Sequence, residues 1–331
     1  MLTTLVVVIV LALLFDYTNG FHDAANAIAS AISTRALTPR VALVLAAAAN
    51  LVGALLSTGV ALTIAKSIIE PPTGMQGMAV IISALVGAII WNFVTWYFGL
   101  PSSSSQALVG GLVGAALASG SLVHWRSGVV GKVLAPMVVS PVVGLVLGYL
   151  LMVAALWLLR RANPHRVERG FRVAQIFSAA SLAVGHGLQD AQKGMGIIVL
   201  ALFTLGYRSD FSVPIWVVLL CAGALAAGTY SGGWRIMRTL GRRIFPLRPV
   251  HGFVAEATAS SVLYLTAFVI AAPISTTQVM TASVMGVGST RRLSAVRWGV
   301  AREIAVAWVL TLPAAAVIAA LAYVGVHLVV R

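Results

Sequence analysis

Read along its length, the chain alternates long apolar runs with short polar joints. The apolar segments fall roughly at 2–34, 39–65, 76–100, 101–120, 129–159, 173–205, 214–231, 250–270, 273–290 and 303–328. Runs of about 20 residues can cross the hydrocarbon core of a bilayer as helices. The short alternating segments of a membrane β-barrel are absent from the pattern. An all-α polytopic membrane protein is therefore expected. Composition agrees: 60% of the 331 residues are hydrophobic and 9% charged, against about 25% charged in a soluble domain.

The basic residues gather in joints. Arg160, Arg161, Arg166, Arg169 and Arg172 occupy one, Arg235, Arg238, Arg242, Arg243 and Arg248 a second, and Arg291, Arg292, Arg297 and Arg302 a third. Short basic joints between apolar spans follow the positive-inside rule, which places all three in the cytoplasm. That accounts for the net charge of +14 without nucleic acid as a partner. The same loops suit contact with anionic membrane lipid.

The joint at 160–172 divides the apolar segments equally. Followed outwards from it, Arg35 and Arg40 fall inside, and the sparse joints near Lys66, Arg126 and 206–213 fall outside. Both termini then lie outside the cytoplasm, and the two halves enter the membrane from opposite sides. Residues 1–160 and 173–331 read as an inverted-topology repeat joined by a basic cytoplasmic linker at 161–172. The charges leave open whether 76–120 and 250–290 are full crossings or re-entrant hairpins. Pro101 and Pro273, placed where a helix has to break, favour hairpins.

Two polar phrases interrupt this apolar background, and each occurs twice. Asn19-Gly20-Phe21-His22-Asp23-Ala24-Ala25-Asn26 is answered by His186-Gly187-Leu188-Gln189-Asp190-Ala191-Gln192-Lys193. Pro101-Ser102-Ser103-Ser104-Ser105-Gln106 is answered by Pro273-Ile274-Ser275-Thr276-Thr277-Gln278. The offset from Asp23 to Asp190 nearly equals that from Pro101 to Pro273. Ionisable and helix-breaking residues are costly in lipid, so matched duplicates point to use, and a transporter is the class built this way.

In the Pro-Ser/Thr-Gln phrase, proline ends the incoming helix and suits the first turn of the next. The hydroxyl run then opens a helix over 102–118 or 275–288, whose first N–H groups lack intrahelical partners. Those N–H groups join the hydroxyls of Ser102, Ser103, Ser104, Ser105, Ser275, Thr276 and Thr277 and the amides of Gln106 and Gln278. With the positive end of the helix dipole they form a cradle for an anion. The structural alternative is that these hydroxyls cap or pack helices. Helix starts from oppositely inserted repeats would meet near the bilayer midplane.

In the Asp-bearing phrase, Asp23 and Asn26 share a helical face and offer oxygens to a coupling cation. Asn19 and Gly20 invite an unwound backbone whose carbonyls would join that site. In the second copy Asp190 is kept and Lys193 replaces Asn26. The ammonium can pair with Asp190, replacing a metal ion or helping to hold an anionic substrate; a purely structural ion pair is the alternative. Glu256 has no repeat partner, since the matching position is Ala84, and reads as a proton relay or as a buried neutral acid. Asp16 is expected at the membrane interface, while His22 and His186 either relay protons or hydrogen-bond structurally. Cys221 stands alone, so it forms no internal disulfide and suits a buried position. Residues 1–14 lack a basic n-region and a cleavage site and read as part of the mature first helix.

Four ordered motifs resemble the signatures of the inorganic phosphate transporter (PiT) family. They are Asn-Gly-Phe-His-Asp-Ala-Ala-Asn at 19–26, Trp-Tyr-Phe-Gly-Leu-Pro-Ser-Ser-Ser at 96–104, Asp-Ala-Gln-Lys-Gly at 190–194 and Pro-Ile-Ser-Thr-Thr at 273–277. The match spans the chain and is with the bacterial low-affinity Pit branch. The resemblance implies an inverted repeat, phosphate uptake at the plasma membrane, and site roles for Asp23, Asn26, Asp190 and the Ser/Thr-Gln helix starts. Sodium-coupled members have asparagine in both Asp-bearing phrases, so Lys193 speaks against at least one sodium site. The bacterial branch shares this lysine. There the resemblance implies proton symport, with phosphate entering as a neutral complex with Mg2+ or another divalent metal. No cofactor is expected.

The leading reading is thus a secondary active phosphate symporter working by alternating access and coupled to H+. Na+ coupling, or a permease for sulfate or another oxyanion, is the alternative. Sulfate has no proton at neutral pH, so its site should offer mainly donors, whereas Asp23 and Asp190 can accept from a P–OH group. An intramembrane enzyme is disfavoured: no serine has a G-x-S-x-G context, and no histidines are paired at metal-ligand spacing. A channel would be excluded by accumulation against a gradient. Glycine-rich helices such as 109–120 can pack within one protomer or between copies in a homo-oligomer.

Overall fold

The computed structural model describes residues 1–330, apart from the side chains at positions 24, 238, 241, 242, 329 and 330. The first half runs through α1 (Leu2–Ser33), α2 (Pro39–Ala54), α3 (Gly59–Ser67), α4 (Met75–Phe98), α5 (Ser104–Ser119) and α6 (Ala135–Leu159). A π-helical stretch, Trp125–Leu134, leads directly into α6. The second half repeats this order with α7 (Pro164–Thr204), α8 (Ile215–Ser231), α9 (Trp234–Arg238), α10 (Pro249–Leu265), α11 (Thr276–Ser289) and α12 (Trp298–Val330). Among the described residues the one sheet is a two-strand antiparallel ladder, Ile69–Glu70 against Leu122–Val123.

Five helical stretches are long and apolar enough to span a bilayer, and α2 with α3, bent by 67°, would make a sixth. The long closing helices α6 and α12 carry prolines at corresponding places, Pro141 and Pro313. Their outer faces expose large apolar side chains, among them Val138, Val142, Val309 and Leu321, as lipid-facing surfaces do.

A polar middle layer divides the core in two, and this division reveals the inversion. One apolar cluster holds Phe15, Leu85, Leu112 and Ile198; the other holds Ile28, Leu182, Phe245 and Val279. Helix α1 runs from the first cluster to the second, whereas α7 runs from the second to the first. The same reversal relates α6 to α12. The buried apolar residues of α5 all stay in the first cluster, beside those of α4, and those of α11 stay in the second, beside α10. Each hairpin thus keeps to one cluster and turns back at the middle layer, the arrangement expected of a re-entrant pair.

The halves interlock. Helix α5 packs on α12 and α11 on α6; α1 packs on α8 and α7 on α2. Two glycines make the last pair of crossings: a Cβ at Gly20 would lie 2.3 Å from the Leu225 carbonyl oxygen, and one at Gly187 would lie 2.1 Å from that of Asn50. Helix α1 is continuous through this contact, so the unwound backbone expected at Asn19 and Gly20 does not form. Gly20 serves close approach between helices instead. The arginine-bearing joints after α1, α6, α9 and α11 all lie at the second cluster's end.

Candidate substrate and ion site

The two breaks use different stops. Helix α4 ends where Gly99 turns left-handed (φ 66), and the Leu100 N–H closes the end on the Thr95 carbonyl at 2.9 Å. Pro101 thus follows a helix that glycine has already stopped. In the second copy α10 loosens into a π turn, Thr266–Ile270, and Ala271 takes the left-handed conformation at φ 50. Its carbonyl is held by the Thr63 hydroxyl at 2.7 Å.

The restarts are alike. Ser103 and Ser275 are N-caps, each accepting the backbone N–H of the glutamine three residues on at 3.2 Å. The new helices consequently begin at Ser104 and Thr276, and two of the hydroxyls proposed for an anion are committed to capping. The Ser105 hydroxyl donates to the Ile274 carbonyl at 2.9 Å, so the two breaks touch.

Asp23 joins the repeats. Its Oδ2 accepts from Ser104 at 2.9 Å and its Oδ1 from Thr277 at 3.1 Å, one hydroxyl from each restart. Asn26 Nδ2 donates to the same Thr277 at 2.7 Å. Lys193 Nζ donates to Ser104 at 2.8 Å and lies 3.0 Å from Asp190 Oδ2. His22 Nδ1 is 2.7 Å from Asp23, and its Nε2 faces Thr95 and Ser102 at 3.1 and 3.3 Å. An unbroken polar chain therefore runs from Asn26 through Thr277, Asp23, Ser104 and Lys193 to Asp190. Its members, with Ser102, Ser103, Ser105, Ser275, Thr276 and Gln278, are at most 3% exposed, so the layer is closed to both sides. Gln106 is half-buried.

Several acceptors in this layer keep free lone pairs. The side-chain carbonyl oxygens of Asn26, Gln106 and Gln278, and Asp190 Oδ1, accept no hydrogen bond. Asp23, His186 and Asp190 each place a ligand atom within 4.8 Å of the others, a mixed oxygen and nitrogen set that suits a divalent cation.

Glu256 stands apart from the central chain. It accepts from Ser30 at 2.5 Å, from Gln175 Nε2 at 3.0 Å and from Ser178. Ser30 stands two turns beyond Asp23 on α1, about 10 Å along the axis, toward the arginine-rich end. Asp16 does not reach an interface; it is wholly buried. His186 is hydrogen-bonded, and its partner Asn50 is a residue that sequence reasoning misses. Asn50 Oδ1 lies 3.1 Å from His186 Nδ1 while its Nδ2 donates to Thr229 at 2.8 Å. A lone asparagine after the alanine run at 46–49 was the available signal.

A model of the phosphate transporter family matches the chain twice, over residues 19–169 and 160–319. The chain belongs to this family. It is 49% identical to the probable low-affinity inorganic phosphate transporter of Rhizobium meliloti (strain 1021), over 98% of this chain and 97% of that protein. It is 43% identical to the protein of the same description from Bacillus subtilis (strain 168), over 96% of each. Among solved structures, the fold is similar to one titled the sodium-dependent phosphate transporter. The TM-score is 0.90 at 24% identity, with 99% of this chain and 100% of that one covered. Family membership makes the chain a multi-pass transporter and not an enzyme, and the double match gives the repeat a second footing.

Proposed function

We propose that this chain is a secondary active symporter that imports inorganic phosphate across the plasma membrane by alternating access, with protons as the coupling ions. The observation that carries the reading is Asp23 accepting one hydroxyl from each re-entrant restart. A group shared by both repeats is where relative motion of the halves would make or break the site. Phosphate would lie against the N-termini of α5 and α11, using their free N–H groups with Ser104, Ser105, Thr276, Thr277, Gln106, Gln278 and the Lys193 ammonium.

Charge balance supports symport. The layer holds two aspartates, Asp23 and Asp190, against one lysine, so an entering anion adds to an existing negative excess in a low-dielectric setting. A cation has to come with it. Protons fit a histidine beside each aspartate, His22 Nδ1 at 2.7 Å from Asp23 and His186 Nε2 at 3.2 Å from Asp190, and the presence of Lys193 where the first copy has Asn26. The second cluster, Glu256 with its three donors, supplies a further carboxyl for a proton toward the arginine-rich end. We place that end in the cytoplasm and both termini on the opposite side.

Two finer readings have observations of their own. The oxygens of Asp23, Asn26 and Thr277 form one half of a symmetric cation site and favour a single Na+. The grouping of Asp23, His186 and Asp190 favours a divalent metal arriving as cargo with phosphate. Uptake into proteoliposomes, with H+, Na+ and Mg2+ varied independently, tests all three. The proton reading expects accumulation driven by a pH gradient in sodium-free buffer; an absolute sodium requirement overturns it.

A further inference from the structure

One buried charge is left outside this mechanism. Asp16 sits on α1 two turns from Asp23, on the side away from Glu256, and is 0% exposed. The Cys221 thiol and the Gly194 N–H approach it as weak donors, and neither oxygen has a partner at full hydrogen-bond geometry. The groups facing it are Lys193, Gly194 and, farther off, Asp190 from α7, and the Cys221 thiol from α8. Helix α4, also packed on α1, carries no Asp, Glu, Lys or Arg.

The fit around this carboxyl is tight. A Cβ at position 194 would lie 2.0 Å from Asp16 Oδ2 and 2.6 Å from Oδ1. The glycine beside Lys193 therefore makes the space that Asp16 fills. A carboxylate packed this way, with only a thiol and one glycine N–H near it, is tolerated only when a proton or the neighbouring ammonium neutralises it. Lys193 is already engaged by Asp190 and Ser104. That leaves a proton.

We propose that Asp16 is a proton-coupling carboxyl on the N-terminal side of the site. It takes a proton from water on one side of the membrane onto a carboxylate oxygen and releases that proton to water on the other side. When Asp16 is ionised, it competes with Asp190 for the Lys193 ammonium. Protonation returns Lys193 to Asp190 and to the anion site, so loading of phosphate and loading of the proton favour each other. The inference rests on proton coupling as proposed above. With Glu256, it gives the transporter one protonatable acid on each side of the substrate layer.

The test separates coupling from transport. In proteoliposomes, phosphate exchange with phosphate trapped on the opposite side needs no net proton movement, whereas accumulation under a pH gradient does. Asp16→Asn is expected to retain exchange and to lose accumulation. Wild-type protein that fails to accumulate phosphate under a pH gradient would refute the proton reading itself. A variant that still accumulates phosphate with wild-type pH dependence, while the wild type is proton-driven, overturns the role of Asp16 alone. Loss of both activities in a folded, membrane-inserted variant overturns it too. Should Asp16→Asn fail to fold, Asp16→Glu replaces it: a shifted pH profile of accumulation with exchange retained supports the role, and an unshifted profile refutes it.

Discussion

Lys193 occupies in the second repeat the place that Asn26 holds in the first, and restoring the symmetry is an informative perturbation. In Lys193→Asn the ammonium 3.0 Å from Asp190 and 2.8 Å from Ser104 is removed. Asp190, fully buried, is left without its compensating charge. Stripping one partner from a buried ion pair costs about 3–5 kcal/mol, which is roughly a 100-fold to several-thousand-fold loss of the competent state. The new amide oxygen beside Asp190 would also recreate the oxygen pair that Asn26 and Asp23 offer. A sodium ion bound there at 100 times its dissociation constant returns about 2.7 kcal/mol, most of the deficit. Lys193→Asn should therefore unfold at lower temperature in choline chloride than wild type and recover in sodium chloride. Its phosphate uptake should become sodium-dependent. Lys193→Met, which removes the charge and supplies no oxygen, should be destabilised and stay so in sodium. The reasoning fails if Lys193→Asn matches wild type without sodium, or if sodium rescues the Met variant equally.

Three further outcomes follow from the geometry. Asp23→Asn keeps the size of the side chain but cannot accept from Ser104 and Thr277 at once, so uptake should fall to background with normal membrane insertion; retained uptake would remove Asp23 from the site. Ser103→Ala and Ser275→Ala each delete an N-cap and should lower stability by about 1 kcal/mol, read as matching shifts in thermal midpoint. Gly99→Ala forces a side chain into a left-handed turn and should cost about 1–2 kcal/mol, whereas Ala271→Gly relieves that conformation and should be neutral or stabilising.

Much of the architecture is legible in apolar run length and arginine placement, because lipid admits only helices and leaves charge to the joints. The halves and the inversion follow from that, and the duplicated restarts from the two Pro-Ser/Thr-Gln phrases. The stops were harder to read. Proline is the conspicuous residue in both phrases, yet Gly99 and Ala271 end the helices; a glycine two residues before Pro101 is a readable stop, whereas nothing in the sequence says that Ala271 adopts the left-handed region. Glu256 shows a second limit. It reads in the sequence only as a proton relay or a buried neutral acid, because its donors, Ser30, Gln175 and Ser178, come from helices far apart in sequence. Asp16 shows the converse: its place at the end of an apolar run suggests an interface, and only packing reveals that Gly194 makes room for it inside.

The way symmetry survives in one phrase and fails in the other argues for a division of labour. Ser103 and Ser275 cap their helices with the same partner at the same distance, and both restarts reach Asp23. An anion held between two equivalent dipoles gains from keeping them equivalent, since each repeat must present the same face as access alternates. Cations are under no such constraint. On the symport reading proposed above, an ammonium fixed at position 193 would fill one of two mirror-related cation places with a charge that is never released, and would lower by one the number of ions that must accompany phosphate. The same substitution sets a lysine beside Asp16, an acid with no counterpart in the second repeat. On this argument Lys193 and Asp16 are two parts of one change, and a double variant, Lys193→Asn with Asp16→Asn, should tolerate sodium coupling better than Lys193→Asn alone, because the second buried carboxyl that would compete for the ion has gone.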